Sequence, residues 1–466
     1  MRRIVLSLII CFSTLAASAK VRLPQFFSDG MVLQQQSEIN LWGWAEPGKR
    51  VSITTSWDKK CHMVTARKDG LFGLKVKTPE AGGPYFIGFK DQDYVQINNV
   101  MIGEVWICSG QSNMEMQMKG FKQQPVEGTT EELLRCRDQQ LRLFTVKRHA
   151  SLTPEDDVTG HWDEATSASV RDFSATAYYF GRALRQTLGV PVGLIVTSWG
   201  GSACEAWMQA EWLKAFPKVQ QHITEDDVKK LQQRCPTALY NGQLHPLIGY
   251  TLRGAIWYQG EDNVPRYDYY APLMAAMVKG WRDEWKQGEF PFYYCQIAPY
   301  DYSLIEWSGS QLLREQQMKA ETLIPNARMA VLMDAGLEYG IHPRKKRQAG
   351  ERLAILALSN TYGVQGLPDF AVYSNIEIQG DTIVVAFDRS KEWVYFEHGP
   401  KSQNFEIAGA DKVFYPAEAW VSRNRVYVRS EKVKNPVAVR YAFHDWAEGD
   451  LMHDGLPVSS FRSDDW

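Results

Sequence analysis

The stretch Gly103-Glu-Val-Trp-Ile-Cys-Ser-Gly-Gln-Ser-Asn-Met-Glu115 decides the fold. Its β-branched and aromatic half, Val105 to Cys108, reads as a buried strand. The run stops abruptly at Ser109-Gly110-Gln111-Ser112-Asn113-Met114, where Gly110 permits a turn that few other residues could make. That geometry puts the Ser112 hydroxyl at the carboxyl end of a sheet strand, the edge at which open α/β sheets carry their active sites.

Outward from this point the 466 residues divide into three regions. Before it, residues 20–99 carry short alternating strands broken by Ser28-Asp29-Gly30, Glu46-Pro47-Gly48, Lys68-Asp69-Gly70 and Gly82-Gly83-Pro84, the spacing of an antiparallel β-sandwich. Across residues 100–360 strands alternate with helices. Strands are expected at Val105–Cys108, Val192–Ser198, Ala255–Tyr258, Phe292–Ile297 and Met329–Met333. Helices are expected at Ala175–Leu188, Tyr269–Trp285, Gln311–Thr322 and Lys346–Ser359. Strand and helix in repetition predict an α/β fold whose parallel sheet is flanked by helices on both faces. Residues 361–466 return to short strands with Gly and Pro breaks, a second β-rich region.

Residues 1–19 have the form of a secretion signal: Arg2 and Arg3, an apolar Ile4 to Leu15, and the small-residue site Ala17-Ser18-Ala19. The apolar run is too short to span a membrane, so a mature chain starting near Lys20 and exported to the periplasm or beyond is expected. Net charge is −2 with both signs well mixed, which gives no footing for a nucleic-acid or membrane-surface partner. After the signal six cysteines remain, and Cys108, Cys204 and Cys295 fall in strands or strand ends where buried free thiols are expected.

A serine hydroxyl is a poor nucleophile without a base and a site for the developing oxyanion. Gly200-Gly201 end the second strand, and adjacent glycines there expose backbone N–H groups that can face an oxyanion. Asn263 follows the third strand end, Trp257-Tyr-Gln-Gly-Glu-Asp-Asn263, and offers a side-chain amide or a helix cap. Of nine histidines, His342 follows the last α/β strand and precedes Pro343 and a helix with apolar residues at helical spacing. His453, three residues after Asp450, is the lesser candidate. No His-Glu-x-x-His, Walker or Gly-x-Gly-x-x-Gly pattern is present, so no metal and no cofactor are expected. Gly110-x-Ser112-x-Met114 also lacks the last glycine of a nucleophile elbow.

Ser109-Gly-Gln-Ser-Asn-Met114, Gly200-Gly-Ser202 with Glu205-Ala-Trp207, Trp257-Tyr-Gln-Gly-Glu261 and Ile341-His-Pro343 together resemble the blocks of SGNH-type carbohydrate esterases, the sialate O-acetylesterases among them. The resemblance runs from the N-terminal sandwich through Leu239-Tyr-Asn-Gly242 to Gly455-Leu-Pro457 and Phe461-Arg462. It implies Ser112 as nucleophile and His342 as base, with Gly201 (or Gly200) and Asn263 sharing the oxyanion with the N–H of Ser112. The implied substrate is an O-acetylated sialic acid or related glycan; acetylxylan esterases share much of the pattern, and a non-catalytic sugar-binding protein is a further alternative. Arg266 and Arg344 are candidate cations for a sialate carboxylate. One departure stands out. Where the resemblance implies an acid two or three residues before the histidine, this chain has Gly340 and Tyr339. Asp334 or Glu338 could substitute, or the pair works as a Ser–His dyad whose ring is held by a neutral acceptor.

Overall fold

The computed structural model describes residues 21–466; the expected signal lies outside them. The central sheet is built from β1 (Tyr94–Gly110), β2 (Asp138–Thr145), β3 (Trp162–Ala165), β4 (Val192–Ser198), β5 (Gly254–Tyr258), β6 (Phe292–Cys295) and β7 (Ala327–Ala330). Their spatial order is β7-β6-β5-β1-β4-β2-β3, parallel throughout except for β3, which returns antiparallel to β2. Helices α1 (Ser112–Glu115), α2 (Ala175–Leu188), α3 (Tyr270–Trp285), α4 (Ser310–Leu323) and α5 (Lys346–Asn360) connect and cover it. The parallel αβ arrangement is the one expected, with small shifts at element ends. β7, for example, begins two residues before the expected start and ends at Ala330.

The strand that ends at the Ser112 turn departs from expectation in length. β1 runs for 17 residues, and its first half pairs antiparallel with Gly82–Lys90 in the N-terminal sandwich. Its second half is the centre of the parallel sheet, between β5 and β4. The boundary placed between residues 99 and 100 therefore lies inside one continuous strand. In the sandwich, Glu38–Trp44 and Leu71–Lys77 form one layer and Arg50–Thr55, Lys60–Thr65, Gly82–Lys90 and β1 the other. Strict alternation in Arg50–Thr55 turns Val51 and Ile53 inward, and Phe72 of one layer meets Phe89 of the other at 6.3 Å.

The C-terminal region is a seven-stranded antiparallel sheet around Phe405, Tyr441 and Phe461. Tyr373 stacks on Phe461 at 4.6 Å, the two rings nearly parallel. This region is tied to α4 by the Arg462 fork, which grips Glu315 at 3.0 and 3.1 Å, and by Arg314, which is fully buried and bonds to Ser460. All six cysteines among the described residues are free thiols; Cys61 is exposed and the others are buried. Among these residues no helix is long and apolar enough to cross a membrane.

Where β1 enters the parallel sheet, Glu104 is almost completely buried. Its carboxylate accepts from Arg253 Nε at 2.7 Å, Gln35 Nε2 at 2.7 Å and Tyr362 Oη at 2.7 Å. One carboxylate thus joins the N-terminal region, the start of β5 and the segment after α5. Burial alone would raise its pKa, but the bonds and charge of Arg253, with Gln35 and Tyr362, hold it below the usual glutamate value.

Removing one partner of a buried ion pair costs about 3–5 kcal/mol, and Glu104→Ala should fall near the lower end because Arg253 keeps some contact with solvent. The denaturation midpoint of the variant reads the loss. Because the folded pKa is depressed, the native contribution is complete above the ordinary glutamate value of 4.5 and disappears as pH falls through the lower folded value. The gap between wild type and variant should therefore close in acid.

Candidate active site

The turn after β1 is possible only because residue 110 is glycine. Gly110 has φ +140°, and a Cβ there would lie 2.2 Å from the Tyr258 carbonyl oxygen. That close approach lets the Gln111 N–H donate to the same carbonyl at 3.0 Å. The Gln111 side-chain carbonyl in turn accepts from the N–H groups of Gly260 and Asp262 at 3.2 and 3.3 Å. Ser112 then opens α1 with 9% of its surface exposed. Below it, Ser174, the N-cap of α2, donates to Met114 O at 2.5 Å and fixes α1 against the larger helix.

Asn113 links this turn to the histidine loop. Its amide nitrogen donates to Glu261 Oε1 at 2.5 Å and to the Ile341 carbonyl at 3.1 Å. Its side-chain oxygen accepts from Lys346 Nζ, the first residue of α5. The serine turn and the segment carrying His342 are therefore joined by one side chain. Lys346 is 1% exposed and lies over the Tyr258 ring, with Glu261 the carboxylate that faces it. Burial brings its pKa down to about 7 against the opposing pull of Glu261. Burial also raises the pKa of Glu261, partly offset by the Asn113 bond and the Lys346 charge.

His342 is half-buried, edge-on to Phe121 at 5.0 Å, with Nδ1 2.6 Å from Gln124 Oε1. Burial first, then the charge of Lys346, lowers its pKa to about 4, so the ring is neutral above that pH. Neither acid considered from sequence contacts it in this way. Asp334 is engaged by both ends of the Arg352 fork at 2.6 Å each, and Glu338 pairs with the Tyr339 phenol. His453 is buried in the C-terminal region, where Nδ1 donates to Asp369 O and Nε2 accepts from Glu392 N–H, a satisfied packing histidine.

The oxyanion candidates differ from one another. Gly200 lies against the serine, since a Cβ on it would be 3.3 Å from Ser112 Cβ, but its N–H donates to Glu115 Oε2 at 2.8 Å. Gly201, at φ +73°, makes no such bond among the described residues. Asn263 is fully buried. Its oxygen accepts from Cys204 N–H and Gln259 Nε2 at 3.0 and 2.7 Å, and its nitrogen donates to Glu205 at 2.9 Å, leaving one amide hydrogen. It ties down the loop after Gly201 whatever else it does. Among the described residues no group of three or more His, Cys, Asp or Glu stands together in a way that could hold a metal ion.

Sequence reasoning missed Gln124 and Lys346 as parts of this site. Gln124 sits in an irregular loop 218 residues from His342, with no motif to mark it. Lys346 opens the expected helix Lys346–Ser359, and a lysine at a helix start ordinarily points to solvent, so its sequence position carries no sign of the site.

Residues 102–359 match the family model described as carbohydrate esterase, sialic acid-specific acetylesterase. The sialate O-acetylesterase of Homo sapiens is 30% identical over 398 residues, covering 77% of this chain and 74% of that protein. The sialate O-acetylesterase of Mus musculus is 28% identical over 420 residues, covering 77% of each. A crystal structure of a novel carbohydrate acetylesterase from Xanthomonas citri superposes with a TM-score of 0.88 at 34% identity, covering 96% of this chain and 100% of the other.

The Lys346 charge makes a distinct prediction for the ring beside it. NMR titration of the His342 imidazole should show proton uptake near pH 4 in the native chain. Because that charge lowers the value, Lys346→Met should move the midpoint upward, toward the ordinary 6.5. An unmoved midpoint would mean that the lysine's field does not reach the ring.

Proposed function

Since the chain belongs to the sialic acid-specific acetylesterase family of carbohydrate esterases, we propose that it removes O-acetyl groups from sialic acids with Ser112 as nucleophile and His342 as its base. The observation that carries the mechanism is the Asn113 bridge, which fixes the Ser112 turn to the carbonyl immediately before His342. With Nδ1 engaged by Gln124, Nε2 is the ring nitrogen available to the serine. It takes the Oγ proton as Oγ bonds to the acetyl carbon and the carbonyl electrons move onto oxygen. The N–H groups of Ser112 and Gly201, with the remaining amide hydrogen of Asn263, are the donors for that oxyanion. Collapse of the tetrahedral adduct expels the sugar oxygen, which takes the proton back from Nε2. Water, deprotonated by the same nitrogen, then attacks the acetyl carbon of the acetyl-serine; the C–Oγ bond breaks, Oγ takes the proton back from Nε2, and acetate leaves.

Support for an acidic sugar comes from the relatives' substrate and from the cleft beside Gly201. A Cβ on Gly201 would lie 3.5 Å from Gln233, and the next residue, Arg234, lines a cavity of about 330 Å³ with Glu205, Asp262, Arg266, Tyr269 and Trp307. Arg234 donates only its Nε, to Asp262 at 2.7 Å, so the two terminal nitrogens of the fork have no acceptor among the described residues. A planar fork of this kind matches a carboxylate. Arg266, one of the two cations singled out in the sequence, pairs with Asp262 and Glu205 in the same wall. Arg344 is exposed. The expected signal in residues 1–19 supports work outside the cytoplasm, and a mature N-terminus near Lys20 in the exported protein would bear on that directly.

Acetate release from O-acetylated sialic acid, acetylated xylan and 4-nitrophenyl acetate separates the readings. Ser112→Ala should abolish turnover of all three while folding normally, since loss of a nucleophile costs many orders of magnitude. Arg234→Ala should raise KM for the acetylated sialate by roughly 10-fold or more, the worth of a charge-assisted pair, and leave the chromogenic ester unaffected. Faster turnover of acetylated xylan than of the sialate would assign the enzyme to neutral polysaccharides instead.

A further inference from the structure

The family's blocks imply an acid just before the histidine, and this chain has none there. Tyr339 is exposed, and Gly340 has no side chain. The two acids nearby are engaged elsewhere, Asp334 by both nitrogens of the Arg352 fork and Glu338 by Tyr339. What does meet Nδ1 of His342 is the Gln124 carboxamide oxygen, at 2.6 Å.

The loop around Gln124 is built to hold that oxygen in place. Phe121 and Gln124 exchange two backbone hydrogen bonds of 3.0 Å each, closing a tight turn whose two ends both contact the imidazole. Gly120 makes the turn possible: at φ +80° a Cβ there would lie 2.3 Å from the Gln124 carbonyl. Downstream, the single Thr129 hydroxyl hydrogen is shared between Met118 O and Val126 O, 2.7 and 2.9 Å from Oγ1. The Glu127 N–H donates to Arg344 O at 3.0 Å, so this loop is bonded directly to the histidine segment. Phe121 supplies the ring's edge contact and Gln124 its hydrogen bond, from one rigid loop.

We propose that Gln124 is the positioning residue of this site, and that its neutral carboxamide replaces the acid as the acceptor that fixes the His342 tautomer. This rests on the Ser112–His342 reading above. With Nδ1–H donated to Gln124, the lone pair sits on Nε2, the nitrogen that the reaction needs. A neutral acceptor sets the tautomer as a carboxylate does, but it adds no negative charge to favour the imidazolium. The charged groups around the ring agree with that account. Lys346 faces it from α5, Glu261 faces Lys346 from the far side of Asn113, and the loop that carries Phe121 and Gln124 contributes no charge to the contact.

Three variants assayed on 4-nitrophenyl acetate across pH decide the matter, with melting temperature followed in parallel. Gln124→Met keeps the bulk and removes the acceptor; kcat should fall by roughly 10²-fold at unchanged KM and unchanged melting temperature. Gln124→Glu puts a carboxylate on Nδ1; the acid limb of kcat/KM should move up by about one pH unit or more, the effect of an opposite charge within reach of an imidazole. His342→Ala is the control for the underlying mechanism. If His342→Ala is inactive while Gln124→Met keeps wild-type kcat and Gln124→Glu leaves the acid limb in place, Gln124 is a packing residue and the proposal fails alone. If His342→Ala is itself active, the Ser–His reading fails and the proposal goes with it.

Discussion

The structure depends on a single strand that belongs to two sheets. β1 passes from the N-terminal sandwich into the centre of the catalytic sheet without a break, so the two layers cannot shift relative to each other without breaking its ladder. At the crossing point Glu104 accepts from Gln35, Arg253 and Tyr362, which come from before the strand, from the residue leading into the neighbouring parallel strand β5 and from beyond the last helix of the α/β region. A buried carboxylate is costly to desolvate, and here each of its oxygens is used. The strand delivers Ser112 at its end, so the sandwich is part of what positions the serine.

Around the Ser112 turn and His342 the architecture uses neutral or compensated polar contacts. Asn113 is the centre, joining Glu261, Lys346 and the carbonyl of Ile341 through one side chain. In a low-dielectric interior such a network is worth having only when its members are satisfied, because an unpaired group costs more than the bond returns. One atom of this network departs from that rule: Glu261 Oε2 has no hydrogen-bond partner among the described residues, consistent with the upward pKa shift that burial gives this carboxyl. A proton on that oxygen would remove the charge that most needs solvation.

Much of the catalytic layer was legible because its signals are local. Ala175–Leu188 and Val192–Ser198 are found where periodicity and apolar runs put them. The sequence pattern marks only Val105–Cys108 of β1 as strand because the character of the strand changes midway. Up to Asn99 it mixes exposed and buried positions; from Val100 every residue is buried. That change looks like a domain boundary in sequence, yet it marks the same strand being covered on a second face. β2 was missed because Asp138, Gln139, Gln140 and Arg142 interrupt its apolar positions near the sheet edge. In the site, the glycine turns and His342 had motifs behind them, whereas the acceptor on Nδ1 is set by a loop fold that no spacing encodes. Asp334, adjacent in sequence and plausible by charge, is instead held by Arg352 from α5.

The cysteines have a practical consequence for handling the molecule. Burial pushes the thiols of Cys108 and Cys204 well above their ordinary pKa and that of Cys235 up to about 11, so the nucleophilic thiolate is scarce at all three. Cys61, on Lys60–Thr65 of the sandwich, is the exposed one among the described residues. A maleimide dye or a surface tether applied to the native protein will therefore attach at that strand, outside the catalytic sheet. Among the described residues, that strand is thus the anchoring point for immobilisation or single-molecule observation.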